Sequence, residues 1–273
     1  MKNVNSLKSI ALLAHFVLMA MVFSCTKESS EPNSEIERIK SISANGTIVQ
    51  QFLYDEAGRI VEENSFNYFS KYLYENDRLV KIESAFAFLS SSMPVEVRTE
   101  FMTSQNSPVD YYSLFKYDNA GRLSKTEHYF KMDGKDFELR STRTFEYSGL
   151  NISKVYFNDP TTGKTSLVYE YAYDNRGNVI NEKYYSNFGP EPELSSETSY
   201  KYDDYKNPYQ IFKKTDYPGL YTNVNNIIET NLTRHSEVPG FDKYSTSKNT
   251  YQYNKNGYPV KVNENGNVFE YNY

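Results

Sequence analysis

An aromatic-x-Tyr-Asp-x-x-Gly unit recurs along this chain and dictates the local structure wherever it stands. The three clearest copies are Phe52-Leu53-Tyr54-Asp55-Glu56-Ala57-Gly58-Arg59-Ile60, Phe115-Lys116-Tyr117-Asp118-Asn119-Ala120-Gly121-Arg122-Leu123 and Tyr171-Ala172-Tyr173-Asp174-Asn175-Arg176-Gly177-Asn178-Val179. Weaker copies begin at Tyr72, Phe145, Tyr200 and Tyr251, and a half-copy, Phe269-Glu270-Tyr271, stands at the C-terminus. The Asp side chain can accept hydrogen bonds from amides just beyond it. The Gly three residues later supplies the positive φ of a type I turn with a bulge. Gly58, Gly121 and Gly177 are therefore expected in the left-handed region, each followed by an aliphatic residue or its neighbour that restarts a strand.

The unit predicts hairpins. Its tyrosines recur every ~20 to 30 residues where no insertion intervenes, enough for two strands and two connections. Aromatics at i and i+2, such as Tyr169, Tyr171 and Tyr173, share one face, while Lys116, Glu146, Glu170, Lys201 and Gln252 point the other way. The expected fold is all-β: an antiparallel meander of such hairpins, forming a large curled sheet or open barrel with an aromatic face and a solvated one. The 44 Tyr and Phe residues and the lack of Trp fit this load of strands. The tight turns should gather at one end of the sheet. The longer connections, 158–164, 187–197 and an insertion at 216–248, should gather at the other. Strand parity between Glu83 and Tyr112 is left open, because Phe101 to Val109 can be read as a degenerate repeat.

The N-terminal residues read differently. Residues 1–24 carry Lys2 and Lys8, then an apolar run from Ile10 to Phe23 with no acid, and a small Ser24. That is the pattern of a signal peptide, too short in its apolar run for a ~20-residue spanning helix. Cys25 is the only cysteine, which excludes an internal disulfide and a thiolate metal cluster. Residues 25–35 lack apolar side chains after Cys25 and read as a flexible tether. Residues 36–273 read as a single β domain. Beyond residue 24 the chain holds 28 basic and 35 acidic residues, a net charge of −7, which gives no attraction for nucleic acid.

Val22-Phe23-Ser24-Cys25 resembles the bacterial lipoprotein signal, with Val22 where leucine is commoner. The resemblance implies an acylated Cys25 as the first mature residue; the alternative is a free thiol in an uncleaved leader. The repeats resemble the YD repeats of the Rhs family, which winds such hairpins into hollow shells. This chain is expected to be too short for such a closed shell and to have no room for a cargo domain. A closer resemblance is to Bacteroidota YD-repeat (Rhs-like) lipoproteins with a curled, porin-like β-sheet, on the lipobox, the degenerate repeats, Asn207-Pro208-Tyr209 and Asn225-Asn226-Ile227. That family has no established activity, so the resemblance implies outer-membrane anchoring and fold, with the membrane face left open, and no catalytic residue.

The chemistry-bearing residues are sparse. His128 adjoins Tyr129 and Phe130 in a strand and reads as packed or surface; His235 stands far from it. Glu62-Glu63 and Asp203-Asp204 are carboxylate pairs of the kind glycosidases use, but neighbours on a strand point to opposite faces and Asp203 occupies a turn position. The Asp/Asn/Gly turns lack the order of a calcium loop, and Gly-rich phosphate motifs are absent. A transmembrane barrel would need an apolar outer band, which the charged alternate face does not supply.

These features point to a non-catalytic envelope lipoprotein without cofactor. It would be held to the bilayer through Cys25 and bind a glycan, apolar ligand or envelope protein through its long-loop end or concave face. The candidate contacts are Tyr217, Tyr221, Phe241 and Tyr244, from the insertion. A periplasmic carrier of an apolar ligand is the alternative, and a glycan-active enzyme the third reading.

Overall fold

The Tyr-Asp turns fold as their residues require. In the first, Gly58 N donates to Asp55 O at 2.8 Å, and Asp55 N donates to Arg59 O at 2.9 Å. The Asp55 carboxylate accepts the Arg59 amide and its Nε, at 2.9 and 2.8 Å. Gly58, Gly121 and Gly177 take φ of 74°, 79° and 95°, as their place in the repeat predicts. The computed structural model describes residues 36–87, 100–131, 135–186, 191–212, 216–236, 240 and 242–273. The leader, Cys25, the tether and Phe241 lie outside the described residues.

Among the described residues there are sixteen strands and one short 3-10 helix. The first half comprises β1 (Ser41–Ala44), β2 (Thr47–Tyr54), β3 (Ile60–Ser65), β4 (Tyr68–Glu75), β5 (Arg78–Phe86), β6 (Tyr111–Tyr117), β7 (Leu123–Lys131) and β8 (Phe137–Ser148). The second comprises β9 (Asn151–Asn158), β10 (Thr165–Tyr173), β11 (Val179–Ser186), β12 (Glu193–Lys206), β13 (Asn225–Arg234), β14 (Lys243–Tyr253), β15 (Pro259–Glu264) and β16 (Asn267–Asn272). Each pairs antiparallel with its sequence neighbours, and β1 pairs with β16 from Ser41↔Asn272 to Ala44↔Phe269. The all-β antiparallel meander that the repeats predict is present, and it closes into a barrel instead of ending as a curled sheet or open barrel.

Closure follows from a repeated irregularity. The register shifts immediately before the repeat tyrosine in β2, β4, β6, β8, β10, β12 and β14, at Leu53/Tyr54, Leu73/Tyr74, Lys116/Tyr117, Glu146/Tyr147, Ala172/Tyr173, Lys201/Tyr202 and Gln252/Tyr253. Each bulge bends its strand and raises the local twist, so seven in phase curl the sheet in one direction. The half-copy at Phe269 to Tyr271 then meets β1 and removes both edges.

The inward face carries the repeat aromatics and the residues that restart each strand. Phe52, Ile60, Tyr72, Leu79, Ile82, Phe115, Leu123 and Val262 form one buried cluster, and Ile152, Val155, Tyr171 and Val179 a second. Repeat tyrosines add a polar ladder: Tyr117, Tyr147 and Tyr173 donate to the carbonyls of Leu79, Leu123 and Ile152 at 2.8, 2.7 and 2.7 Å. Each hydroxyl thereby ties one repeat to the strand start of the repeat before it. Arginines add a second tie, with Arg59 4.8 Å above the Tyr74 ring and Arg122 4.9 Å above that of Tyr147.

The outward face is charged. Lys81–Glu83, Lys116–Glu127, Lys154–Glu170, Lys201–Glu229 and Lys261–Glu270 pair at 2.6, 2.7, 3.3, 2.7 and 3.3 Å around the wall. A lysine on the lipid face of a spanning barrel costs ~2 to 4 kcal/mol at the bilayer midplane, so this wall suits water. The open strand parity resolves simply: β5 pairs with β6 directly, Lys81↔Leu114 to Ser84↔Tyr111, and Phe101 to Val109 forms no strand. That segment folds back instead, where Met102 packs on Phe69 and Ala85 and donates its amide to Ser65 O at 2.8 Å.

Candidate ligand chamber in the barrel lumen

The 216–248 insertion is not one long loop at the long-connection end. It contains all of β13 and the start of β14, and the true excursion is the link from Lys206 to Asn225, which leaves the barrel at the Tyr-Asp turn end. Its apolar residues explain its path. A 3-10 turn at Pro208–Phe212 buries Phe212, 1 % exposed, against Phe52 with ring centroids 5.2 Å apart. Tyr209 reaches Tyr271 at 6.2 Å, and Tyr217 reaches Tyr169 at 6.2 Å. Contacts to β2, β16 and β10 mean that the segment enters the lumen and plugs it.

Asparagines pin the base of the plug. Asn207 Nδ2 donates to Leu220 O and Asn223 O at 2.6 and 2.8 Å. Asn178, fully buried, accepts the amides of Val224 and Asn225 at 2.8 and 3.0 Å and donates to Asp174 Oδ2 at 2.9 Å and Asn225 Oδ1 at 3.0 Å. Two other repeats carry Arg at this position. Asn226 in turn donates its amide to Asp203 Oδ1 at 3.1 Å. The Asn-Pro-aromatic and Asn-Asn-aliphatic segments are therefore the two roots of the plug.

Between plug and wall lies a chamber of about 290 Å³, lined by Tyr111, His128, Phe130, Arg143, Asp216 and Tyr217 among others. Its His128 is 3 % exposed and fully engaged: Nδ1 meets the Tyr111 hydroxyl at 2.6 Å and Ser113 Oγ at 2.8 Å, and Nε2 meets Thr126 Oγ1 at 3.0 Å. Burial, then the Arg143 charge, push its pKa down to about 3, so the ring is neutral and structural. Arg143 and Asp216 differ from it. Arg143 Nη1 and Asp216 Oδ1 are buried with no hydrogen-bond partner among the described residues, although Asp216 is only 4 % exposed. The guanidinium lies 4.2 Å from the centroid of the Tyr217 ring. Nearby Glu182 faces the lumen opposite Tyr171, and burial raises its pKa.

A second cavity, about 420 Å³, opens at the turn end between the rings of Tyr74, Tyr117, Tyr147 and Tyr173 and the plug residues Pro218 and Thr222. With three of those hydroxyls spent on backbone carbonyls, it offers mainly ring surface.

The sequence candidates separate. Tyr217 lines the chamber and is 37 % exposed. Tyr221 packs inside the plug, 5.8 Å from Phe212 and 6.0 Å from Tyr209, so it is core and not a free platform. Tyr244, 76 % exposed, stands on β14 opposite Thr233 on the outer wall. The carboxylate pairs diverge: Glu62 accepts Ser104 N at 2.8 Å outside, whereas Glu63 accepts the Tyr68 and Tyr72 hydroxyls at 2.5 and 2.8 Å inside. Asp203 accepts from Asn226 and Tyr253, and Asp204 pairs with Arg176 at 2.6 Å. Among the described residues no group of three His, Cys, Asp or Glu side chains could hold a metal ion. Arg143 and Asp216 were missed, though Arg143 stands two residues before Phe145 and so at inward parity.

This barrel has a structural counterpart. The chain shares its fold with a porin-like protein from Bacteroides vulgatus. The two have a TM-score of 0.52 at 11 % identity, over 87 % of this chain and 99 % of the other. A porin-like protein from Bacteroides uniformis aligns over 85 % of this chain and 91 % of its own, with a TM-score of 0.44 and 13 % identity. No protein family and no curated protein matches the sequence.

Proposed function

We propose that this chain is a lipid-anchored cell-envelope protein that binds a small ligand in its lumen without transforming it. The observation that carries the reading is that Arg143 Nη1 and Asp216 Oδ1, on two charged side chains lining one chamber, are buried without a hydrogen-bond partner. Buried polar atoms are normally hydrogen-bonded, so an unsatisfied guanidinium nitrogen and an unsatisfied carboxylate oxygen beside one cavity favour an occupant that bonds both. The plug favours holding over passage, because Phe212, Tyr209 and Tyr217 cross the space that a water channel would need. The charged outer wall favours an anchor over a span, and Cys25 behind its apolar leader supplies one.

Glycan, lipid and amino-acid panels applied to residues 26–273 test the ligand reading, with Tyr217→Ala as the variant that removes a chamber wall. A ligand whose affinity is unaffected by that change lies elsewhere. Replacement of Cys25 by Ala tests the anchor: lipid labelling should vanish and exported protein should become soluble. Retained labelling refutes acylation at Cys25.

A second reading, a carrier of an apolar molecule, is supported by the ring-lined cavity at the turn end. Binding of a fatty acid that survives Arg143→Met and is lost in Leu123→Asp would favour it.

A further inference from the structure

The chamber's chemistry specifies more than an occupant. Arg143 comes from the wall, on β8, and Asp216 from the plug, so the two approach the cavity from different parts of the fold. They make no salt bridge with each other. A guanidinium requires an acceptor, best an anionic one, and a carboxylate requires a donor, best a cationic one. His128 adds no third charge, because burial keeps it neutral and both ring nitrogens are engaged. The lining therefore presents one positive and one negative group.

Around these two groups the wall mixes aromatic rings with serines, of which Ser70 and Ser84 bond each other at 2.9 Å and Ser113 bonds His128. Tyr111 and Phe130 pack 4.6 Å apart, Phe86 lies 6.1 Å from Tyr111, and Tyr217 stands on the plug side. The volume of about 290 Å³ corresponds to roughly ten waters' share of liquid. That admits a molecule of about ten non-hydrogen atoms and excludes a long acyl chain or an oligosaccharide.

We propose that the chamber binds a free α-amino acid with an apolar or aromatic side chain, its carboxylate on Arg143 and its ammonium on Asp216. The proposal rests on the lumenal binding reading and names the ligand class of that same site. A zwitterion supplies a counter-charge to both groups at once, and its side chain takes the ring surface. A monosaccharide of equal size supplies hydroxyls but neutralises neither charge, and a fatty acid leaves Asp216 without a donor.

Calorimetry on residues 26–273 tests this with L-phenylalanine, L-leucine, N-acetyl-phenylalanine, phenylalanine amide, glucose and octanoate. The free amino acids should bind, and the acetylated and amidated forms should each bind about tenfold or more weakly. Asp216→Asn should erase the preference for the free amine over the acetylated form and leave the preference for carboxylate over amide. Arg143→Met should do the reverse. Those crossed preferences distinguish contact with each end of the ligand from a general loss of fold, and the comparison of derivatives on the unaltered protein needs no variant. Binding of glucose or octanoate in a manner that depends on Arg143 and Asp216, without binding of free amino acids, overturns the ligand class and leaves lumenal binding standing. Absence of binding by every probe overturns both.

Discussion

The Tyr117 hydroxyl donates to the Leu79 carbonyl at 2.8 Å, across 38 residues of chain. Leu79 restarts its strand just after a tight turn, so the bond fastens the end of one repeat to the beginning of the previous one. Tyr54, Tyr147, Tyr173 and Tyr202 do the same to Ile39, Leu123, Ile152 and Val179. The repeat tyrosine is therefore conserved within this chain for its hydroxyl as well as its ring. Tyr117→Phe and Tyr147→Phe should each lower stability by ~1 kcal/mol, the net worth of one hydrogen bond, while leaving the rings packed. Urea unfolding measures this directly, and two unchanged midpoints would show that water satisfies those carbonyls equally well.

Glycine replacement should be graded across the repeats. Gly58, Gly121 and Gly177 all have positive φ, so Val at any of them is strained by ~1 kcal/mol or more. A Cβ on Gly58 also collides with the Arg38 guanidinium, whose Nε donates to Gly58 O at 2.9 Å, whereas Gly177 has open space. Gly58→Val should thus be the most damaging and Gly177→Val the least, by thermal unfolding. Equal shifts would mean that Arg38 moves aside without loss.

The turns and faces were legible because they are local. Asp55 with Gly58, and Tyr169 with Tyr171 and Tyr173, state their geometry within a few residues. Closure was not legible, because it depends on seven small bulges adding in phase and on β1, whose Ser41-Ile42-Ser43-Ala44 carries no repeat motif. The plug was hidden for a different reason. Asn207-Pro208-Tyr209 and Asn225-Asn226-Ile227 stand out in the sequence only through a family resemblance, and the bonds from Asn178 to Val224 and Asn225 that root the plug span more than 40 residues. Arg143 and Asp216 come to line one chamber only when the link from β12 to β13 folds into the lumen, so their relation exists in tertiary structure alone.

Falling pH should destabilise the barrel through His128. Its folded-state pKa is depressed from 6.5 to about 3 by burial and by Arg143. The unfolded chain then binds the proton more tightly, so this contribution to stability is intact above pH 6.5 and is lost as pH falls from there toward 3. The loss is on the order of 4 kcal/mol if burial is maintained. His128→Gln, which cannot gain that charge, should show a flatter decline of the unfolding midpoint between pH 6.5 and 4. Parallel declines in the two proteins would show that the imidazole is hydrated in the native state.

The plug should come loose without the barrel opening when its root is cut. Asn178 Oδ1 accepts two buried amides, Val224 N and Asn225 N, and its Nδ2 bonds Asn225 Oδ1. Asn178→Ala leaves those amides without an acceptor, and each buried unsatisfied group costs ~1 to 3 kcal/mol. Asn178→Arg restores the residue of the other repeats but cannot accept a hydrogen bond from either amide, so it should be as harmful. Both variants should show faster amide hydrogen exchange in residues 207–224 while the strand amides of β2 to β9 stay protected. Deleting 216–248 should have a different result, because it removes β13 and part of β14 and breaks the ring. Unchanged exchange across 207–224 in Asn178→Ala would mean that Asn207 and the buried rings of Phe212 and Tyr209 hold the plug by themselves.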